Sequence, residues 1–172
     1  MKRTLFSIAA ILCASLLLFS CTKEKYYPDD SSQALTSLFE IRPSQWSLTD
    51  AGNYEIALDI QEITSSITDQ GAVWIYYSYD GGYSYELAPS LAIIDDNDNS
   101  FDFLAKSGDD DQGGYAILTA IPYVDNTNAK PDVFFGENMR VKIVSIPSQL
   151  YQANKNVNKA DYNEVKRVFR LK

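Results

Sequence analysis

From Tyr54 to Ile60 the chain alternates: Tyr54, Ile56, Leu58 and Ile60 fall on one side and Glu55, Ala57 and Asp59 on the other. A period of two predicts a strand with one buried face. Gly71 to Tyr79 (GAVWIYYSY) is rich in β-branched and aromatic residues and reads as a second strand. Asp80-Gly81-Gly82 predicts a tight turn, and Tyr83 to Leu87 a returning partner strand that Pro89 stops. Short strands follow at 91–94 and 101–105, separated by the polar turn Asp95–Ser100 (DDNDNS). Residues 107–114 (SGDDDQGG) read as another turn. Tyr115 to Ile121 is apolar at both alternations, which predicts a central strand covered on both sides. Met139 to Ile146 is the last long strand, ended by Pro147. Many short strands with polar turns define an all-β chain, best read as an Ig-like or related β-sandwich. An open barrel is the alternative architecture.

Helical signal is sparse. Ile63 and Ile67, four apart, fit one short turn. Residues 158–171 place Ala160, Val165, Val168 and Phe169 near helical spacing, which predicts a short C-terminal helix with Asn158 as its N-cap. From Lys155 onward there are six basic and two acidic residues. We read that excess as helix-end electrostatics and docking against an acidic body.

The first 20 residues follow a different pattern. Lys2 and Arg3 precede an uncharged apolar run, Leu5 to Phe19, that is short for a membrane span. This is the layout of a secretory signal. It ends in Leu18-Phe19-Ser20-Cys21, which looks like a bacterial lipobox with Phe19 in place of the usual small residue. The expected division is a signal peptide over 1–20, a lipidated Cys21 with a polar tether over 21–36, and one domain over 37–172. Cys13 would leave with the signal. Several acyl chains on Cys21 would make the anchor effectively permanent, at roughly 0.8 kcal/mol per buried CH₂.

Composition narrows the chemistry. The chain has 172 residues, 15 basic and 23 acidic, for a net charge of -8. Losing Lys2 and Arg3 with the signal would leave the body two charges more negative. No basic footprint is present for nucleic acid. There is no histidine, which excludes serine triads, Cys–His dyads and His-ligated zinc. Within residues 37–172 no S-x-x-K motif occurs, and the chain has no phosphate-binding glycine loop. With 23 acids, some carboxylate pair will reach hydrolase spacing by chance, and no motif singles one out. The chain therefore reads as a non-enzyme.

Trp46, Ile63-Thr64, the strand Gly71-Ala72-Val73-Trp74-Ile75-Tyr76 and the late strand Val141 to Pro147 form a pattern behind the lipobox and tether. It resembles the small lipoproteins of unknown function common in Bacteroidota, over most of residues 44–147. The resemblance implies a β-sandwich on a lipid tether at the outer membrane, and no enzymatic activity. Export signals in such proteins are acidic, whereas Lys23-Glu24-Lys25 is mixed in sign. Periplasmic and surface orientation therefore both stay open.

Two constellations could bind something. Asp96, Asp98, Ser100 and Asp102 stand at every second position, like the first half of a calcium loop. Phe101 and Ser107 occupy the places of the diagnostic Gly and Glu. We read these acids as solvated hairpin tips and a weak Ca²⁺ site as the alternative, with Asp109, Asp110 and Asp111 as further ligands. No other cofactor is expected. The second constellation is aromatic: the chain has 12 tyrosines, and both faces of strand 73–79 carry rings. These rings read first as cross-strand packing. If one face is open, Tyr76, Tyr83 and Tyr85 are the expected ligand contacts, stacking on a sugar or receiving a peptide. The functional expectation is a non-enzymatic cell-envelope lipoprotein that binds or scaffolds a protein or glycan partner. The alternative is a glycan-binding or fimbria-like adhesion subunit, calcium-stabilised in one version.

Overall fold

The computed structural model describes residues 33–94, 100–123 and 138–172. Among them run nine strands: β1 (Leu35–Ile41), β2 (Ser47–Leu48), β3 (Tyr54–Asp59), β4 (Ala72–Ser78), β5 (Glu86–Leu87), β6 (Ser90–Ile94), β7 (Ser100–Asp110), β8 (Gly113–Pro122) and β9 (Met139–Ile146). Three short α-helices accompany them: α1 (Ser65–Gln70), α2 (Ser148–Ala153) and α3 (Tyr162–Phe169). One sheet has the order β1-β9-β4-β5, the other β2-β3-β8-β7-β6, and all pairings are antiparallel. The fold is an all-β sandwich with a short C-terminal helix. No helix among the described residues is long and apolar enough to cross a membrane.

Alternation decides which side chains fill the space between the sheets. Leu58 of β3, Ile75 and Tyr77 of β4, Phe101 and Phe103 of β7, Ala116, Leu118 and Ala120 of β8, and Val141 and Ile143 of β9 share one core with Trp46. Phe103 pairs across the ladder with Ala120, so the ring takes the room a small residue leaves. Its ring lies edge-on to Trp46 at 6.3 Å and 4.5 Å from that of Tyr77. Such pairs contribute about 0.5–1.5 kcal/mol beyond area burial.

The four-stranded sheet is covered on its other face as well. Tyr76, Val144 and Ile146 pack there against Tyr162, Val165, Phe169 and Leu171. Trp74 meets Phe169 and Tyr151 edge-on, at 5.7 and 6.4 Å. Strand β4 is thus ring-rich on both faces because both are packed.

Several boundaries differ from the sequence reading. β8 is central, but only one face is sealed: Ala116, Leu118 and Ala120 point inward, while Tyr115, Ile117, Thr119 and Ile121 are half-buried on the open side. The stretch read as a turn over 107–114 is mostly strand. Asp110 accepts from the amides of Gln112 and Gly113 at 2.7 and 3.3 Å, which closes a short turn and lets β7 run to Asp110. A Cβ on Gly114 would strike the carbonyl oxygens of Ile60 and Ile63, so glycine is needed where that chain crosses. Of the predicted strand Tyr83 to Leu87, only Glu86 and Leu87 pair with β4.

The C-terminal helix starts later than expected. Its N-cap is Asp161, whose carboxylate accepts from the amides of Asn163 and Glu164 at 2.9 and 3.2 Å. Asn158 instead accepts from Ala160 in the preceding turn. Helix α2, where Pro147 supplies the first carbonyl acceptor, was not foreseen. Nor was β1, whose first residue Leu35 and buried neighbour Ala34 lie inside the stretch read as tether.

Candidate functional site

Strand β9 lies between β1 and β4 and carries two cations in an apolar run, Arg140 and Lys142. In register, Arg140 stands between Glu40 and Ser78, and Lys142 between Leu38 and Tyr76. The Lys142 ammonium lies 4.0 Å from the ring centre of Tyr85 and 4.5 Å from that of Tyr162. The Tyr162 ring is 4.9 Å from Tyr76 and 5.1 Å from Tyr85. Burial first, then repulsion from Lys166 and Arg140, pushes the Lys142 amine below its ordinary range.

The loop between β4 and β5 forms the rim. Asp80 accepts from the hydroxyls of Ser78 and Ser84 at 2.6 and 2.5 Å, and from the amides of Gly82, Tyr83 and Ser84 at 2.9–3.2 Å. These bonds, with that from Ser78 the largest effect, hold its carboxyl well below the usual carboxylate range. The side chain at 80 thereby does what a two-residue hairpin turn would otherwise do. Gly82 has a φ of 94°, and a Cβ there would come within 3.0–3.2 Å of Arg140 and the Tyr85 hydroxyl. Beside this loop an open cleft of about 370 Å³ is lined by Glu40, Gly81, Asn138 and Arg140. The Asn138 amide donates to Glu40 at 2.7 Å.

The structure separates the three tyrosines singled out by sequence. Tyr76 is fully buried, and its hydroxyl donates to the carbonyl of Lys159 at 2.8 Å. Desolvation raises its pKa beyond the ordinary tyrosine range. Tyr85 is half-buried beside Lys142, and Tyr83 is 95% exposed. Tyr76 and Tyr85 thus meet through Tyr162, while Tyr83 stands in solvent beside Gly81, which lines the cleft.

The acidic candidates are dispersed. Cys21, Asp96 and Asp98 lie outside the described residues. Asp102 lies on the open face of the five-stranded sheet and accepts from the Tyr123 hydroxyl at 2.7 Å. Asp109 accepts from Ser65 and Thr68 at 2.7 and 2.5 Å, and Asp110 closes its own turn. Among the described residues no three acids or thiols converge as metal ligands would.

Arg140, Lys142, Glu40 and Asn138 were not singled out by sequence. A signal did exist: two cations spaced i, i+2 put charge on one face of an otherwise apolar strand. No protein-family model, curated protein or solved structure matches the chain.

Proposed function

We propose that the protein is a non-enzymatic binding or structural module of the cell envelope, held at the outer membrane by lipid on Cys21. The observation that carries this reading is the charged-then-apolar leader ending in Leu18-Phe19-Ser20-Cys21, standing a short distance before a packed sandwich. Residues 22–34 would reach at most roughly 45 Å when fully extended, so the sandwich would stay near the bilayer. Anchoring raises local concentration, and modest intrinsic affinity then suffices. The acidic body is repelled by anionic lipid, which leaves the acyl chains to hold it. The recessed cluster around Lys142 and the adjoining cleft offer side-chain recognition.

The test is metabolic labelling with an alkyne fatty acid, followed by membrane fractionation. The native chain should incorporate label and sediment with membranes, whereas Cys21→Ala should do neither. Equal labelling of the two, or a native mass that retains Met1, would sink the reading.

A second reading, assembly by strand addition, draws on β1. It is a seven-residue edge strand without Lys, Pro or bulge, and Leu38 on it is 60% exposed.

A further inference from the structure

We propose that the surface between α3 and the 79–85 loop binds an acidic sugar, with its carboxylate held by Arg140, Lys142 and Lys166 and its ring seated in the cleft below Tyr83. This names the ligand class of the binding module proposed above and rests on that reading. The first support is charge. In a chain of net charge -8, Lys142 is half-buried and no carboxylate among the described residues pairs with it. The charges that act on it most, Lys166 and Arg140, both repel it. Asp80 is held by its own loop, and Glu40 accepts from Asn138 and stands opposite Arg140 in register, so neither is bonded to Lys142. A cation partly withdrawn from water gains from an anionic partner. Here two tyrosine faces compensate only in part, and an arriving anion would complete the arrangement.

The second support is shape. Floor strand β9 is hydrogen-bonded on both sides, so it has no free backbone edge for an extended peptide. Recognition must come from side chains. The cleft supplies an acid, an amide and a guanidinium suited to sugar hydroxyls. Tyr83 offers an open ring face at its rim, with a ring carbon 3.9 Å from where a Cβ of Gly81 would stand. Asp80 pins this loop, so presenting that ring costs little additional ordering on binding.

The experiment is isothermal titration of the full chain in detergent with trigalacturonate, neutral galactotriose and inorganic phosphate. Trigalacturonate should bind at least about tenfold tighter than the neutral trisaccharide and weaken as salt rises. Lys142→Met and Lys166→Gln should each weaken it by about fivefold or more, Tyr83→Ala should weaken it too, and Lys155→Gln should leave it unchanged. Lys166 is exposed on α3, so its variant reports even if Lys142→Met fails to fold. Equal binding of the neutral sugar, salt-insensitive binding, or charge variants that match wild type would overturn the proposal. So would phosphate binding as tightly as trigalacturonate. Failure here with Cys21 labelling intact removes the ligand and spares the anchor, while unlabelled protein that still binds trigalacturonate does the reverse.

Discussion

Asp80 organises the backbone of the loop that follows β4, accepting from the amides of Gly82, Tyr83 and Ser84. Its carboxylate replaces the turn hydrogen bonds that the 79–85 loop lacks, so charge at one residue holds Tyr83 and Tyr85 in place. Its pKa is depressed on folding, so the stabilisation is full above the unfolded carboxylate pKa and is lost as pH falls through the lower folded value. Exchange protection at the amides of Gly82, Tyr83 and Ser84 should therefore persist to about pH 3 and disappear in Asp80→Ala at any pH. Loss of wild-type protection by pH 4 would contradict this account. Gly114 acts through space rather than charge. Gly114→Ala forces a methyl onto two backbone carbonyls, which cannot yield as a side-chain tip can. It should cost about 3 kcal/mol or more in chemical denaturation, and a cost under 1 kcal/mol would mean the crossing segment at residues 60–63 moves freely.

At the level of elements, the C-terminal helix is a second packing layer on the four-stranded sheet. It is eight residues long, too short to persist alone in water, so its stability comes from burying Tyr162, Val165 and Phe169 on β4 and β9. The cap decides where it begins. Asp161→Ala should cost about 1 kcal/mol by loss of two amide contacts, and Asn158→Ala less than half as much. The reverse order in urea melts would return the cap to Asn158. The basic excess of this segment also has a more specific setting than docking against an acidic body. Lys166 and Arg140 both act on Lys142 as like charges, so the docked face is locally positive around it.

For the whole molecule, two sheets and one helical layer divide the labour. The inner core holds the sandwich together, the helical layer buries the second face of β4, and the junction of that layer with the 79–85 loop leaves Lys142 half-exposed. The acidic hairpin ends serve local structure: Asp109 ties β7 to α1, and Asp110 closes the β7–β8 turn. Thermal unfolding should accordingly be the same with calcium and with chelator. A midpoint that falls by several degrees on chelation would restore the calcium reading for Asp96 and Asp98.

The pattern along the chain was enough for the all-β class and for β3, β4 and β9. Each of these rests on local periodicity or composition, which a strand expresses within itself. Edge strand β1 was not legible because it alternates weakly: Thr36, Ser37, Leu38 and Phe39 form no clean two-sided pattern. The turn at 107–114 was misread because its glycines and aspartates serve long-range contacts, with Ile60, Ile63, Ser65 and Thr68, that no local window contains. The tyrosines were legible as a set, but their roles were not. Tertiary packing alone buried Tyr76, left Tyr83 in solvent and placed Tyr85 over Lys142. Those outcomes depend on which face α3 covers, and that is set by residues more than 75 positions away along the chain.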